Sequence, residues 1–181
     1  DEEKESDRKQ LAHIESFKSL NFERVGFRYQ SAERQVLKDV SFSVKKGEVV
    51  AFVGHSGSGK TTISSLINRF YLSYTGSISL NNVDFNDLSN REVRKMISWV
   101  SQDVRLFDFS IEENVAFGAS FIDKEKVKTA LKAANALEFV EKMPNGLKTV
   151  IGQNGVRLSG GQRQRIAIAR AFYKDSELLL L

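Results

Sequence analysis

The stretch of sequence that decides the fold reads Val49-Val50-Ala51-Phe52-Val53-Gly54-His55-Ser56-Gly57-Ser58-Gly59-Lys60-Thr61-Thr62. Its first five residues are apolar and rich in valine, which predicts a buried strand over 49–53. The apolar run ends at Gly54, and apolar residues at helical spacing follow the glycine-rich segment. They predict a helix from about Lys60 to Tyr71. The stretch is therefore expected to form a strand, a loop and a helix in succession.

The loop has the pattern Gly54-x-x-x-x-Gly59-Lys60-Thr61, which is typical of a phosphate-binding P-loop. Glycines let successive backbone N–H groups turn inward to form an anion-binding nest, which side chains would block. The helix that follows adds unpaired N–H donors and the positive end of its dipole. We expect Lys60 to reach the β- and γ-phosphates of a nucleotide and the Thr61 hydroxyl to bind Mg²⁺. The predicted nucleotide-binding residues are Gly54, Ser56, Gly57, Ser58, Gly59, Lys60, Thr61 and Thr62. The alternative is a glycine-rich turn that only joins a strand to a helix.

Composition narrows the function classes. A chain of 181 residues is long enough for one domain with a sizeable core. Its 27 Lys and Arg residues exceed its 23 Asp and Glu residues only slightly, and the excess is spread along the sequence. Because nucleic-acid binding needs clustered positive charge, we expect no nucleic-acid partner. The absence of cysteine from the sequence excludes disulfides and thiol chemistry.

Apolar alternation and short apolar runs predict the other strands. These strands are expected at 22–29, 36–44, 77–80, 96–100 and 178–181. A hairpin-type turn is predicted at Asn81-Asn82, directly after the 77–80 strand. The 96–100 strand is expected to lead to Gln102.

Three serines are each followed three residues later by Glu or Gln, the pattern of a capping box at a helix start. They are Ser89, Ser110 and Ser159. The helix after Ser110 is expected to run to about Lys142, and the helix after Ser159 to Tyr173. The elements together predict a mixed α/β fold, with a P-loop NTPase core, an antiparallel β subdomain and an inserted α-helical subdomain.

A second glycine motif is Leu158-Ser159-Gly160-Gly161-Gln162. Its glycines place bare N–H groups beside a serine hydroxyl at the positive end of a helix, which makes a second potential phosphate site. A simple serine N-cap is the alternative. Since one nucleotide does not need two such sites in one subunit, we expect two copies to form a head-to-tail dimer. Ser159, Gly160, Gly161 and Gln162 of each copy would then cover the ATP bound by the other.

A P-loop followed by this pentapeptide resembles the nucleotide-binding domain of the ABC transporters, in which the pentapeptide is the signature motif. The resemblance covers about 17–181, after a charged linker at 1–16, with the helical subdomain at about 103–158. Within the family, the sequence most resembles the bacterial multidrug and lipid A exporters. It implies an ATP- and Mg²⁺-dependent ATPase that powers export of a lipid or hydrophobic compound. It also implies a transmembrane domain, fused N-terminally, and a location at the cytoplasmic face of the bacterial inner membrane.

The resemblance also assigns roles to single residues. Tyr29 matches the aromatic residue that stacks on adenine, with a core tyrosine as the alternative. Gln102 matches the glutamine that touches Mg²⁺ and the attacking water. The segment 106–114 is similar to the exporter segment that lines a groove for the membrane domain's coupling helix. Phe107 and Ile111 are the expected apolar contacts there, with core packing as the alternative.

The two ends of the sequence suggest a piece of a longer protein. The chain begins at Asp1 and stops inside the apolar run 178–181. In the family, an aspartate for Mg²⁺ and a glutamate that acts as general base follow this strand. We therefore expect the parent protein to hydrolyse ATP and the 181-residue chain by itself to be nearly inactive.

Two other functions stay open at the level of sequence. One is a soluble ABC ATPase that acts in DNA repair or translation. The repair type carries a long coiled coil between the Q-loop glutamine and the signature, and only the compact stretch 103–156 intervenes here. The other is a non-hydrolysing regulatory module, which degenerate residues after Leu181 would create.

Overall fold

The computed structural model describes residues 12–181. Much of the predicted charged linker, 1–16, therefore lies outside the described residues. The chain divides into two compact units, with the boundary between Ile97 and Ser98. In the described part, no helix combines the length and the apolar character that crossing a membrane would require.

The first unit is built on a four-stranded antiparallel sheet in the order β2-β1-β3-β4. Its strands are β1 (Ser19–Phe27), β2 (Leu37–Lys45), β3 (Thr75–Leu80) and β4 (Val83–Asp84). In the central strand β1, Leu20, Phe22 and Val25 are buried. Phe22 pairs with residues of both neighbouring strands. The antiparallel β subdomain predicted from alternation is confirmed.

The hairpin between β3 and β4 turns at Asn81 and Asn82, as predicted. Their φ values of 53° and 65° lie in the left-handed region, which a type I′ turn requires at both central positions. The Asn81 side chain also binds the chain that enters the sheet. Its Oδ1 accepts from the N–H groups of Lys18 and Ser19, at 2.7 and 3.1 Å, and its Nδ2 donates to the Ser16 carbonyl at 2.6 Å.

The predicted strand over 49–53 is wrong for this structure. The segment has no regular secondary structure, and no strand of the described residues lies beside it in a sheet. Val49 is 97% exposed and Val53 is 90% exposed, whereas Phe52 packs edge-on against Phe42 of β2. A strand exists only where its N–H and C=O groups pair with a neighbour, which apolar character alone does not provide.

The helices of the first unit are α1 (Lys60–Ile67) and α2 (Asn90–Met96), with a 3₁₀ turn at Phe85–Asp87. Helix α1 ends four residues before the predicted Tyr71, because Arg69 adopts a left-handed φ of 54°. Ser89 caps α2 through the N–H of Glu92, at 3.1 Å. The predicted capping box is only half formed, since the Glu92 carboxylate instead accepts from the Ile14 N–H and lies 3.0 Å from His13 Nδ1.

The second unit contains most of strand β5 (Ile97–Trp99), strand β6 (Leu178–Leu180) and four helices. The helices are α3 (Ile111–Val115), α4 (Lys124–Ala133), α5 (Leu137–Glu141) and α6 (Gly160–Lys174). Short 3₁₀ turns lie at Gly146–Lys148 and Gln153–Gly155. The two strands form a small sheet, and the Val100 N–H donates to the Leu180 carbonyl at 2.9 Å.

The single long helix predicted from Ser110 to Lys142 is three helices in the structure. Gly118 adopts a φ of 85° after α3, Asp123 caps the start of α4 through two N–H groups, and Asn135 with a φ of 52° follows α4. Buried apolar residues of all these helices and of α6 form one core, which includes Ile111, Val127, Leu131, Val140 and Ile166. The capping boxes at Ser110 and Ser159 are both confirmed.

Candidate functional site

The P-loop in the first unit is closed by the side chain of its own lysine. The Lys60 ammonium donates to the carbonyls of Gly54 and His55, at 2.8 Å each, and to Ser58 Oγ at 3.3 Å. The Ser58 N–H donates to the His55 carbonyl at 3.2 Å and tightens the same turn. The cation is therefore held over the loop by neutral oxygens, where an anion could take their place.

Two glycines of the loop have no room for a side chain. A Cβ on Gly59 would lie 2.5 Å from Leu37 Cδ2. Gly59 also has a φ of 95°, in the left-handed region that favours glycine. A Cβ on Gly54 would lie 2.7 Å from Ser58 Oγ. Bare backbone at these points lets the loop curl tightly, so its N–H groups can form the concave nest that binds phosphate.

Helix α1 begins directly after Gly59, and no side chain of the described residues caps its first amides. Its first turn carries no acidic residue. The unpaired N–H groups and the helix dipole therefore favour an anion at this end. The exposed Thr61 lies in this first turn. Mg²⁺ needs only one or two protein ligands beside the phosphates of its substrate, so this hydroxyl fits the ion.

Thr62 has a different role from its neighbour. It is buried, and its Oγ1 lies 2.9 Å from the Tyr29 hydroxyl. The Tyr29 ring packs edge-to-face against Phe27 and Tyr71, with ring centroids 4.9 and 5.2 Å away. The structure thus brings the predicted adenine-stacking residue to the helix that follows the P-loop. Adenine stacking by Tyr29 stays a prediction.

The signature segment lies in the second unit, at the start of α6. Ser159 Oγ accepts the Gln162 N–H at 3.3 Å, and Gln162 Oε1 accepts the Ser159 N–H at 2.9 Å. Ser159, Gly160 and Gly161 are exposed. A Cβ on Gly161 would meet no atom within 4 Å, and one on Gly160 would meet only the tip of Arg163 at 3.9 Å. Neither glycine is needed for packing against the described residues, 12–181.

Gln102 is exposed on a bend that follows β5. It lines a groove of the second unit together with Gln153, Asn154 and Gly160. The structure therefore brings Gln102 near the signature helix. Tyr29 and the P-loop form the other group of predicted site residues, within the first unit.

The predicted groove segment 106–114 is divided between surface and core. Phe107 is 39% exposed, but Ile111 is fully buried in the helical core, so the expectation that Ile111 contacts a partner is wrong. The exposed apolar residues of this segment are both aromatic, Phe107 and Phe109. Phe107 stacks on Phe117 with ring centroids 4.3 Å apart, and it also stacks on Phe109.

Sequence reasoning missed the residues that hold this aromatic surface in place. Arg170 of α6 donates to the Asn114 carbonyl at 2.8 Å, to Asn114 Oδ1 at 3.0 Å and to the Arg105 carbonyl at 3.0 Å. Its guanidinium lies 5.7 Å from the ring centroids of both Phe107 and Phe117. These contacts span more than fifty residues of sequence, so no local pattern could have identified them.

Comparison with known proteins agrees with this geometry. The family model described as ABC transporter matches residues 37–181. An ATP-dependent lipid A-core flippase of Coxiella burnetii is 43% identical over 182 residues, which span 100% of this chain and 31% of the relative. The flippase of the same name from Cupriavidus pinatubonensis is 50% identical over 165 residues, or 90% of this chain and 28% of the relative.

A solved structure of a bacterial Atm1-family ABC exporter with ATP bound matches with a TM-score of 0.89 and 35% sequence identity. The match covers 96% of this chain and 30% of that chain. The chain thus spans about a third or less of the proteins that it resembles. Since the family model spans most of the sequence and a solved exporter shares its fold, the chain belongs to the ABC transporter family and has the ABC ATPase fold.

Proposed function

We propose that this chain is the ATP-binding and ATP-hydrolysing part of an exporter. The observation that carries the proposal is the P-loop, in which the Lys60 ammonium rests on two loop carbonyls beside an uncapped helix start. When ATP enters, its β- and γ-phosphates replace these neutral oxygens as partners of the cation. Charge-assisted hydrogen bonds are stronger than neutral ones, which favours the exchange.

The other predicted residues act around the same nucleotide. Tyr29 stacks on the adenine, and the backbone N–H groups of 54–62 surround the phosphates. The Thr61 hydroxyl would hold Mg²⁺, and Gln102 would touch the ion and the attacking water. Bound Mg²⁺ supplies positive charge that offsets the charge developing on the transferred phosphoryl group.

We further propose that two copies close head to tail over ATP. Gly160 and Gly161 support this step, because neither glycine is required by packing inside the chain. Their exposed N–H groups and the Ser159 hydroxyl would bind the γ-phosphate of the ATP held by the other copy. ATP then acts as a ligand of the closed state, and its hydrolysis reopens the dimer.

The parent protein would export a lipid or another hydrophobic compound across a bacterial inner membrane. The names of the relatives support this proposal, since they are lipid A-core flippases that are about three times as long as this chain. A transmembrane domain fused N-terminally would place the chain at the cytoplasmic face. Residues of about 103–158 would form the helical subdomain that passes the motion to it. The same names favour this function over an ATPase of DNA repair or translation.

The Lys60→Ala substitution tests the nucleotide site. Removing a charged hydrogen-bond donor costs about 1.5–3 kcal/mol, so the Kd for Mg-ATP should rise by about tenfold to a hundredfold. Isothermal titration calorimetry of the 181-residue chain measures this Kd. The Lys18→Ala variant is the matched control, since it removes the same charge from an exposed residue outside the loop. Equal ATP affinity in the wild type and Lys60→Ala would refute the assigned role.

A further inference from the structure

Three aromatic rings of the first unit meet beside the P-loop helix. Tyr29 contacts Tyr71 with ring centroids 5.2 Å apart and an interplanar angle of 82°, and it contacts Phe27 at 4.9 Å and 87°. Phe27 and Tyr71 also contact each other, with ring centroids 5.2 Å apart. Edge-to-face pairs with centroids roughly 4.5–7 Å apart are favoured over a face-to-face sandwich. Each ring of this cluster is therefore held by the other two.

Tyr71 reaches the cluster because the chain turns sharply after α1. Arg69 adopts a left-handed φ of 54°, and its N–H donates to the Leu66 carbonyl at 2.9 Å. The Phe70 N–H donates to the Ser65 carbonyl at 3.0 Å and tightens the same turn. Because the turn is hydrogen-bonded back to the helix, the position of Tyr71 is fixed relative to α1, the helix that begins at the P-loop.

Tyr29 depends on these contacts for its orientation. It lies beyond the end of β1, in a stretch without regular secondary structure. Its hydroxyl contacts Thr62, and its ring contacts Phe27 and Tyr71. A ring that is already held in one rotamer loses less entropy when a ligand stacks on it, so the affinity for that ligand is higher. Phe27 is buried in the core, whereas Tyr71 is 41% exposed. Tyr71 can therefore be changed with less damage to the fold than Phe27.

We propose that Tyr71 is a positioning residue of the nucleotide site, whose ring holds Tyr29 in the orientation that stacks on adenine. The inference rests on the proposed function, in which Tyr29 contacts the base. It also connects the two parts of that site, because α1 begins at the P-loop and the turn after α1 carries Tyr71. Loss of the Tyr71 ring should weaken the binding of the base and leave the binding of the phosphates unchanged.

The test compares ATP with inorganic tripolyphosphate, which carries phosphates but no base. Isothermal titration calorimetry in the presence of Mg²⁺ measures both Kd values, and their ratio reports what the nucleoside contributes. In Tyr71→Ala the Kd for Mg-ATP should rise about threefold to tenfold, while the Kd for tripolyphosphate should stay within about twofold of the wild-type value. Tyr71→Phe keeps the ring and should therefore retain the wild-type affinity for ATP.

Leu72→Ala is the matched control. Leu72 follows Tyr71 directly in the chain and is 47% exposed, so its removal costs a similar amount of partly exposed apolar surface. Both Kd values should stay unchanged in this variant. Urea unfolding of every variant measures stability alongside affinity. A general loosening of the first unit would weaken tripolyphosphate binding as much as ATP binding, so the ratio of the two Kd values separates positioning from a structural role.

A double-mutant cycle with Tyr29→Ala is the decisive measurement. A positioning residue acts through its partner, so adding Tyr71→Ala to Tyr29→Ala should change the Kd for Mg-ATP by less than about twofold. An equal loss in both backgrounds would overturn the proposal, because Tyr71 would then act on the nucleotide without Tyr29. Wild-type ATP affinity in Tyr71→Ala would also overturn it, as would an equal loss of affinity in Tyr71→Phe.

The same cycle separates this inference from the proposed function. If Tyr29→Ala left the ratio of the two Kd values unchanged, the base would not stack on Tyr29, and the role proposed for Tyr29 would fail together with the inference. If Tyr29→Ala changed the ratio and Tyr71→Ala did not, Tyr29 would keep its role and only the inference about Tyr71 would be refuted.

Discussion

The Gly161→Ala substitution separates the proposed phosphate contact from the stability of the fold. Gly161 lies in the first turn of α6, without a left-handed φ, and a Cβ added there would meet no atom within 4 Å. Glycine inside a helix costs roughly 0.5–1 kcal/mol relative to alanine. The free energy of unfolding should therefore stay unchanged or rise by up to about 1 kcal/mol.

In the proposed dimer, the same methyl group would occupy the space through which the γ-phosphate of the ATP held by the second copy approaches the start of α6. Losing one charge-assisted hydrogen bond costs about 1.5–3 kcal/mol, so the ATP-dependent dimer should weaken by about tenfold or more. Sedimentation velocity with and without Mg-ATP measures the dimer, and urea unfolding followed by circular dichroism measures stability. The dimer should weaken, whereas the free energy of unfolding should stay the same or rise.

Gly155→Ala is the control variant, and we expect it to lose stability where Gly161→Ala does not. Gly155 has a φ of 66°, and a Cβ there would lie 3.0 Å from Leu106 Cδ1. A left-handed backbone costs a residue with a side chain roughly 1–2 kcal/mol, so this variant should be destabilised. If Gly161→Ala lost as much stability as Gly155→Ala, Gly161 would be required for folding and not for phosphate binding. If its dimer matched the wild-type dimer, no phosphate meets this helix.

Three further predictions concern polar groups that are buried or half-buried. Asn114→Leu should destabilise the second unit by about 3 kcal/mol in urea unfolding, because Asn114 is buried and the Phe107 N–H and Arg170 both lose its amide oxygen as a partner. Tyr29→Phe should cost about 1 kcal/mol of stability, because the contact with the Thr62 hydroxyl is lost. The ATP affinity should stay the same, since stacking on adenine needs only the ring. A large loss of ATP affinity would argue against stacking. Burial raises the pKa of Tyr74 to about 12, so an absorbance titration should show a late tyrosinate step that Tyr74→Phe removes. Because an unfolded tyrosine ionises near pH ~10, stability should fall as the pH rises from about 10 to 12.

Features that depend on a few neighbouring residues were predictable from sequence. The capping boxes at Ser110 and Ser159 each need only side chains three residues apart, and both formed as expected. The Asn81-Asn82 turn needs two residues that tolerate left-handed backbone. The P-loop belongs to the same class, since its glycines and its lysine act within one tight turn.

Features that depend on distant partners were not predictable. Residues 49–53 have the composition of a strand but lack a neighbour in the described structure. Glu92 has the position of a capping-box residue, but His13 and Ile14 bind its carboxylate instead. Ile111 is as apolar as a surface contact requires, and only the packing of α3 shows that it is buried.

By itself, the sequence determined that this chain belongs to the ABC transporters, because the P-loop and the signature are short, local and in the family's order. It also determined where the helices α1, α3 and α6 begin. Only the tertiary structure decided which apolar residues face outward, and that Arg170 connects α6 to Phe107 and Phe117. Motifs are encoded by neighbours along the chain, whereas exposure, charge compensation and pocket shape arise from residues that meet only after folding.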